Sequence, residues 1–436
     1  METVVFFANI GLWTCVAILA VYTLRHYFFT LNRLFGKHRQ PYVDVLVADW
    51  PALVVFVPCH NESRVIRDSL DALLTCDYPE QRLIIVPIDD RSEDDTRDIL
   101  LQYANDYPGR IQPFLRDDGI PGKAAALAEA MEFHQEEVFL IFDADYIPGT
   151  KLLKQLVAPF FDPEVGAVMG RVVPLNVGRS LLTRLLDLER SGGYQVDQQA
   201  RMNLHLVPQY GGTVGGMRRV ALEAVGGWSL DSLAEDTDLT MRLVIAGWEV
   251  VYQNRSECYE EVPETWESRI RQIRRWATGH NQVARRYTGD LIRNASKLPF
   301  SQVLDGVLLL GVFVIPIVLL IGWSCAIILY YAGYPPEFSR FTILAIASFN
   351  TVGNFAAFFE IAAANRLDGT RERIRMLPFM LLGFLISAIT VCRASLSRKS
   401  WFRGHSMSWQ KTARHREDRV AKKPRRSRRT QARTIA

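Results

Sequence analysis

The chain has 436 residues, of which 49% are apolar and 22% charged, and its formal net charge at pH 7 is +4. This length suffices for one catalytic domain and several membrane spans. Its six cysteines form no C-x-x-C pair and have no histidine at metal-ligand spacing, which argues against a disulfide framework and a structural zinc site.

The apolar residues are concentrated in four segments that are nearly free of charge. These segments are residues 4–28, 306–331, 341–364 and 376–392. Each is about as long as a bilayer crossing requires, ~17–25 residues. The sequence therefore predicts an integral membrane protein.

The first apolar segment has no basic residue before it and no small-x-small cleavage site after it, whereas basic residues follow it closely. This arrangement favours an uncleaved span with its N-terminus outside over a secretory signal. We therefore expect the residues that follow to lie in the cytoplasm.

Between the first two spans, short β-branched runs alternate with helix-like stretches, which predicts one α/β domain. The predicted strands are residues 53–57, 82–88, 137–142, 166–173 and 247–252, and the clearest helices are 94–104, 124–131, 181–194 and 235–246. In open α/β sheets, ligands bind beyond the carboxyl ends of the strands. Acidic residues follow the second and the third of these strands.

Asp143 and Asp145 follow the third predicted strand with i, i+2 spacing. Both carboxylates can reach one divalent cation, Mg²⁺ or Mn²⁺, which would neutralise the pyrophosphate of a sugar nucleotide as it leaves. A D-x-D triplet also arises by chance at strand ends. Its position directly after a buried strand favours the metal site.

Asp90, preceded by Asp89, ends the second strand, where a carboxylate can accept hydrogen bonds from a base or ribose. The alternative is capping of the next helix by Ser92. Glu62 lies in the loop after the first strand and could line the same pocket.

Lys123 precedes an alanine-rich helix, and a lysine near a helix N-terminus suits phosphate binding, although it could equally be an ordinary exposed residue. Gly212 and Thr213 lie in the glycine-rich segment 209–216. Such a segment lets a ligand approach the backbone closely, and a sugar acceptor is the expected ligand.

Glu235 and Asp236 open a predicted helix. Glycosyl transfer to a hydroxyl needs a general base within hydrogen-bond reach, and a carboxylate at the rim of an active site can serve. The alternative is that both acids only complement the helix dipole.

Gln272, Arg275 and Trp276 lie in a basic amphipathic segment. Arginine offers bidentate contacts to a leaving phosphate, and tryptophan offers a flat face to a sugar ring. The same segment could be an interfacial helix with its tryptophans as membrane anchors.

Taken in order, these motifs resemble those of the processive, membrane-integrated family-2 glycosyltransferases, which include cellulose, chitin, hyaluronan and poly-N-acetylglucosamine synthases. The family pattern is D, D-x-D, [T/E]-E-D and Q-x-x-R-W. It is matched here by Asp90, Asp143-Ala-Asp145, Ala-Glu235-Asp236 and Gln272-Ile-Arg-Arg275-Trp276. The resemblance covers residues 50–290, and alanine replaces the usual threonine before Glu235.

The resemblance implies a GT-A type nucleotide-sugar-binding domain with a mixed sheet, inserted between transmembrane α-helices. It implies that Asp90 contacts the nucleotide base, that Asp143 and Asp145 hold nucleotide and metal, and that Asp236 is the catalytic base. Gln272, Arg275 and Trp276 would hold the pyrophosphate and the acceptor end of the polymer. Glucose or N-acetylglucosamine on UDP is the favoured donor, and GDP-mannose is possible.

The expected organisation is an N-terminal span (1–30), a cytoplasmic domain (31–295) with interfacial helices near 180–202 and 266–295, a membrane region of two or three spans (300–393) and a basic tail (394–436). From residue 395 the tail has 14 basic and two acidic residues, a net charge of +12. Such a tail suits an anionic lipid surface or simply marks orientation, and it lacks a nucleic-acid reading element. One span before the domain and three after it would place the tail outside, against the positive-inside rule, unless segment 376–392 is interfacial.

We therefore expect a multi-pass protein of the cell membrane that elongates and exports a β-linked polysaccharide, with accessory export subunits as possible partners. The alternatives are transfer of a single sugar to a lipid or polyprenyl acceptor, and a catalytically silent membrane scaffold.

Overall fold

The computed structural model describes residues 2–39, 42, 49–333, 345 and 355–397. One eight-stranded mixed sheet forms the centre of the domain. Its strands are β1 (Leu53–Cys59), β2 (Leu83–Asp90), β3 (Phe114–Arg116), β4 (Val138–Ile141), β5 (Ile147–Pro148), β6 (Val165–Pro174), β7 (Gly215–Arg218) and β8 (Glu249–Glu260). The predicted α/β fold with a mixed sheet is confirmed.

The strand order is β3-β2-β1-β4-β7-β6-β8-β5. Strands β1 to β4 run parallel, whereas β7 is antiparallel to both of its neighbours, β4 and β6. Because β2, β1 and β4 are adjacent and parallel, their carboxyl ends lie side by side. The acidic residues that follow β2 and β4 therefore meet at one edge of the sheet.

Helices pack against this sheet and extend beyond it. They are α1 (Glu2–Phe35), α2 (Ile66–Leu74), α3 (Thr96–Asp106), α4 (Lys123–Met131), α5 (Leu152–Val157), α6 (Leu181–Ser191), α7 (Gln199–Asn203), α8 (Arg219–Ala224), α9 (Glu235–Ile245), α10 (Trp266–Arg293), α11 (Phe300–Gly311), α12 (Ile315–Tyr331), α13 (Phe355–Leu367) and α14 (Leu377–Ser395). A π-helical turn, Gly192–Gln198, joins α6 to α7.

Packing against neighbouring strands explains two glycines of the segment 209–216. A Cβ atom on Gly215 would lie 2.2 Å from the carbonyl oxygen of Val168, and one on Gly216 would lie 2.1 Å from that of Phe139. Both distances are far below van der Waals contact, so only glycine fits in β7. From the sequence, glycines in this segment were expected to let a ligand approach the backbone. For Gly215 and Gly216 the structure gives a different reason, the close packing of β7 between its neighbouring strands.

Buried charges fasten the N-terminal helix to the domain. Arg25 on α1 lies 2.8 Å from Asp197 and 3.5 Å from Asp305. Arg201 lies 2.7 Å and 3.0 Å from the same two carboxylates. Because cations and carboxylates alternate, each buried charge has an opposite neighbour, as burial requires. This cluster connects α1 and α11 to the helical segment 192–203.

Three helical stretches in the described part of the chain are long and apolar enough to cross a membrane. They are Glu2–Phe35, Phe300–Tyr331 and Glu372–Ser395. They contain the predicted segments 4–28, 306–331 and 376–392. The predicted segment 341–364 lies largely outside the described residues, and α13 is its described end.

The last of these stretches runs parallel to α10. Trp266 at the start of α10 packs against the apolar cluster that contains Met380, near the start of α14, and Ala277 shares an apolar cluster with Val391. Farther along, the Nδ2 group of Asn281 donates a hydrogen bond to Ser395 Oγ over 2.7 Å. Helix α14 therefore contacts the first half of α10, between Trp266 and Asn281, along most of its own length.

Candidate active site

Asp90 ends β2 and is only 2% exposed. Its Oδ1 atom accepts hydrogen bonds from Arg116 Nη1 (2.7 Å) and Arg91 Nε (3.0 Å), and its Oδ2 atom accepts one from the backbone N–H of Gly122 (2.9 Å). Asp90 thereby connects β2 to β3 and to the loop that immediately precedes Lys123. Since a carboxylate oxygen accepts about two hydrogen bonds, Oδ2 retains capacity for a donor group of a base or ribose.

Lys123 is the first residue of α4, and its Nζ atom lies 2.5 Å from Asp143 Oδ1. Burial lowers the pKa of Lys123, but the charges of Asp143, Glu235 and Asp236 outweigh burial and raise it above its ordinary value. The ammonium group therefore stays charged and faces three acids. These interactions place Lys123 at the centre of the acidic cluster.

Asp143 and Asp145 follow β4 as the sequence predicts. The backbone N–H of Asp143 donates to Thr213 Oγ1 over 3.0 Å, which fastens the acidic loop to the segment before β7. Asp145 is 2% exposed. The glycine-rich segment thus touches the acidic loop through Thr213.

Glu235 and Asp236 form the first turn of α9. A Cβ atom on Gly212, whose φ is +75°, would lie 3.3 Å from Asp236 Cβ, so the backbone at Gly212 passes directly beside the proposed base. Burial raises the pKa of Glu235 and the charge of Asp236 raises it further, while Lys123 and Arg275 act in the opposite direction. Four of the predicted residues therefore interact electrostatically.

Helix α10 approaches this cluster at Gly279, where a Cβ atom would lie 2.8 Å from the backbone nitrogen of Ala234. In the same helix, Gln272 Oε1 accepts a hydrogen bond from Arg269 Nη1 over 2.8 Å. The guanidinium group of Arg269 lies 5.2 Å from the ring centroid of Trp276 and that of Arg190 lies 5.6 Å from it. These cation–π contacts hold Trp276 in place.

The structure brings most of the predicted residues to one place, but not all. Contacts and charge interactions join Lys123, Asp143, Gly212, Thr213, Glu235, Asp236 and Arg275. Asp90 is connected to this group because it accepts a hydrogen bond from Gly122, the residue before Lys123. Glu62 is buried in the loop before α2, where its carbonyl oxygen accepts hydrogen bonds from the N–H groups of Val65 and Ile66. Gln272 and Trp276 contact arginines of α10 and α6.

The chemistry of Asp143 and Asp145 fits Mg²⁺ or Mn²⁺, because carboxylate oxygens are the ligands that hard divalent cations prefer. Among the residues that the structure describes, no group of three or more such side chains surrounds a common point. The two aspartates alone would therefore leave coordination positions for oxygen atoms of a bound diphosphate and water.

Sequence reasoning missed four residues at this site. Arg116 belongs to a three-residue strand without a recognisable pattern. Thr237 directly follows Asp236, and the motif assigns a role to the aspartate alone. Tyr210 is fully buried, and its hydroxyl has no hydrogen-bond partner within the described ranges. His280 contacts Thr237 across 43 residues of sequence, a contact that no local pattern indicates.

The sequence profile described as "Glycosyltransferase like family 2" matches residues 51–279, more than half of the chain. The chain belongs to glycosyltransferase family 2. The profile match confirms the family that the motifs predict. It does not distinguish processive synthases from other members of the family.

Two curated relatives of this family-2 chain have informative names. "Probable glycosyltransferase YdaM" of Bacillus subtilis is 31% identical over 62% of this chain and 63% of its own length. "Glucomannan 4-beta-mannosyltransferase 7" of Arabidopsis thaliana is 29% identical over 57% of this chain and 46% of its own length. The chain thus spans about half to three-fifths of the relatives it matches.

Among solved structures, a mannosyltransferase from Pyrobaculum calidifontis, PcManGT, in complex with GDP-Man and Mn²⁺ is similar to this chain. The TM-score is 0.55 at 21% identity, and the match covers 87% of this chain and 99% of the other. At this identity the likeness shows the fold alone. It confirms the predicted GT-A architecture.

Proposed function

We propose that this protein is an inverting hexosyltransferase that moves a sugar from a nucleotide-sugar donor to the growing end of a β-linked polysaccharide at the cytoplasmic face of the cell membrane. One observation carries the proposal. Lys123 and Asp143, which would bind the donor, lie in the same charge cluster as Asp236, which would activate the acceptor.

In this mechanism Asp236 accepts the proton of an acceptor hydroxyl, whose oxygen attacks C1 of the donor sugar. The bond between C1 and the phosphate oxygen breaks, and the nucleoside diphosphate leaves from the opposite face, so configuration at C1 inverts. Lys123 and Arg275 offset the negative charge that develops on the leaving diphosphate. A divalent cation held by Asp143 and Asp145 would supply further charge neutralisation when bound.

Several features support a polymeric acceptor and a membrane location. The Q-x-x-R-W motif is typical of polymer-forming relatives, and relatives of this chain carry the name glucomannan 4-beta-mannosyltransferase. Three apolar helical stretches accompany the domain. We propose that all three anchor the domain and that the first two provide the route for export, to which accessory subunits could contribute.

The donor sugar is tested with a panel. Purified protein in lipid nanodiscs is mixed with UDP-glucose, UDP-N-acetylglucosamine or GDP-mannose and Mn²⁺ or Mg²⁺, and release of nucleoside diphosphate is measured. We expect one donor to be preferred and chelation of the cation to stop turnover. GDP-mannose belongs in the panel because the Arabidopsis thaliana relative and PcManGT are named mannosyltransferases.

The decisive variant is Asp236→Asn, which keeps the shape of the side chain but removes the base. We expect kcat to fall by about 10²–10⁴-fold, the usual contribution of general base catalysis. Asp106→Asn at an exposed helix end is the matched control and should keep wild-type activity. An unchanged rate in Asp236→Asn would refute the proposed mechanism.

The size of the product separates the proposal from its alternatives. Chains of many sugars on a gel support polymer synthesis, whereas one sugar per lipid would indicate a lipid or polyprenyl acceptor. A protein that binds none of the three donors in the presence of either cation would be a catalytically silent scaffold.

A further inference from the structure

His280 lies on α10 beside the residue that follows the proposed base. Its Nε2 atom is 3.2 Å from Thr237 Oγ1, and the backbone N–H of Thr237 donates to Asp236 Oδ1 over 2.6 Å. Thr237 Oγ1 also accepts a hydrogen bond from Gln209 Nε2 over 2.8 Å. The ring of His280 therefore contributes to the hydrogen-bond network that fixes Asp236.

The other ring nitrogen of His280, Nδ1, is buried, and no hydrogen-bond partner for it occurs among the residues described. Leaving a buried polar atom unsatisfied costs about 1–3 kcal/mol. The ring of Phe313 packs against His280, with its centroid 4.8 Å from that of the imidazole. An unsatisfied nitrogen beside an apolar ring and next to the proposed base suggests a position that a ligand completes.

The charge state of the ring limits the kind of ligand. Burial lowers the pKa of His280, and the negative charge of Asp236 opposes this only in part. The imidazole is therefore mainly neutral near pH 7 and offers one N–H group and one lone pair. With the carboxylates of Asp236 and Glu235 nearby, an anionic group such as a phosphate is disfavoured at this position.

We propose that His280 is an acceptor-binding residue, which holds Thr237 through Nε2 and binds a hydroxyl group of the acceptor sugar through Nδ1. This inference rests on the proposed glycosyl transfer and adds the residue that selects an uncharged, hydroxyl-bearing acceptor. The ring of Phe313 provides an apolar surface for the same sugar. The acceptor sugar thus lies between Asp236 and the start of α12.

Two substitutions distinguish the roles of the two ring nitrogens. In His280→Gln the amide can reach Thr237 in place of Nε2 but cannot replace Nδ1, whereas in His280→Asn the amide lies near the position of Nδ1 and cannot reach Thr237. With a β-linked hexasaccharide of the donor's sugar as acceptor, we expect His280→Gln to raise the acceptor KM about tenfold, the effect of one lost hydrogen bond. We expect His280→Asn to lower kcat and to leave that KM within about threefold.

His134→Gln is the matched control, because His134 lies before β4, at the opposite end of that strand from Asp143. It should keep both kinetic constants. A His280→Gln enzyme that transfers sugar with an unchanged acceptor KM would overturn the assignment of His280 alone. A wild-type enzyme that transfers no sugar from any donor would refute the proposed function, and the assignment of His280 with it.

A measurement on the wild-type protein avoids any dependence on the activity of the variants. The nitrogen NMR resonances of protein labelled with ¹⁵N-histidine report hydrogen bonding at each ring nitrogen, whether it is accessible or buried. The hexasaccharide, without donor, should shift the Nδ1 resonance of His280, which is assigned by its absence from the spectrum of His280→Gln, and should leave the resonances of His134 in place. An unshifted Nδ1 resonance of His280 at a saturating concentration of hexasaccharide would contradict the proposal.

Discussion

Lys123 is the residue that we propose connects the bound donor to the acids of the site. It carries a positive charge next to Asp143 and within the field of Glu235 and Asp236. A diphosphate that enters this cluster would be repelled by the acids and attracted by Lys123 and Arg275. The lysine therefore offsets the unfavourable charge of the site for an anionic donor.

The first prediction concerns this ammonium group. Lys123→Met keeps the aliphatic stem but removes the charge, so we expect the donor KM to rise about tenfold or more, since a charge-assisted contact contributes about 1.5–3 kcal/mol. Steady-state kinetics with varied donor concentration measure this. Lys154→Met removes a lysine whose partner is the exposed Asp77, and it should behave like the wild type. An unaltered donor KM in Lys123→Met would contradict the assignment.

The second prediction uses the raised pKa of Glu235. The folded protein holds the Glu235 proton to a higher pH than the unfolded chain does, so ionisation of this residue destabilises the fold. The loss of stability begins near the ordinary pKa, 4.5, and is complete above the raised value. Glu235→Gln cannot ionise and should avoid this loss.

Thermal unfolding measured across pH tests this sign. Glu235→Gln and the wild type should have similar Tm values near pH 4, and the variant should unfold about 2–4 °C higher at pH 7–8. The exposed Glu132→Gln serves as control and should follow the wild type at every pH. A variant less stable than the wild type at pH 8 would mean that the ionised Glu235 stabilises the fold.

At the scale of elements, β7 connects the two halves of the sheet and carries the loop of Gly212 and Thr213 to the site. It can do so only because Gly215 and Gly216 let the backbones of β4 and β6 come close. The position of the loop of Gly212 and Thr213 relative to Asp143 and Asp236 therefore depends on the packing of this strand.

The third prediction is that Gly216→Ala destabilises the domain by about 3 kcal/mol or more, because the added methyl group would overlap the carbonyl oxygen of Phe139. Chemical denaturation measures the free energy of unfolding. Gly178→Ala is the matched control, since a Cβ atom there meets nothing within 4 Å, and its stability should stay within about 0.5 kcal/mol of the wild type. Equal stabilities would show that β7 adjusts to a side chain.

The elements also show how far sequence reasoning reaches. Strands β1, β2 and β4 were predictable because parallel strands buried on both faces are continuous apolar runs, and the acids at their ends followed from the geometry of such sheets. Strands β3 and β5 were missed because a strand of two or three residues is too short to show the alternation of apolar and polar residues that marks a strand. The contact between His280 and Thr237 depends on how α10 packs against α9, which no local pattern encodes.

At the scale of the whole molecule, the arrangement of the C-terminal helices bears on the conflict with the positive-inside rule. The carboxylate of Asp368, after α13, accepts hydrogen bonds from Arg171 and Ser191, so the chain is back at the domain before α14 begins. Because α14 then runs parallel to the first half of the arginine-rich α10 and in contact with it, the two segments lie at the same depth relative to the membrane.

A helix with the exposed arginines of α10 does not cross the hydrocarbon core, since a charge there is costly. We therefore infer that α14 is an interfacial helix, with its exposed apolar residues, such as Leu381, Leu385 and Ile389, towards the lipid. The basic tail would then stay on the side of the catalytic domain. This placement satisfies the positive-inside rule.

The fourth prediction is that the tail and the domain are labelled from the same side of the membrane. Cysteines introduced singly as Ser427→Cys in the tail, Asp106→Cys in the domain and Tyr331→Cys at the end of α12 are treated with a membrane-impermeant maleimide in sealed vesicles of known orientation. Ser427→Cys and Asp106→Cys should react in inside-out vesicles, and Tyr331→Cys should react only in right-side-out ones. Because Tyr331 ends the preceding candidate span, reaction of Ser427→Cys together with Tyr331→Cys would show that α14 crosses the bilayer.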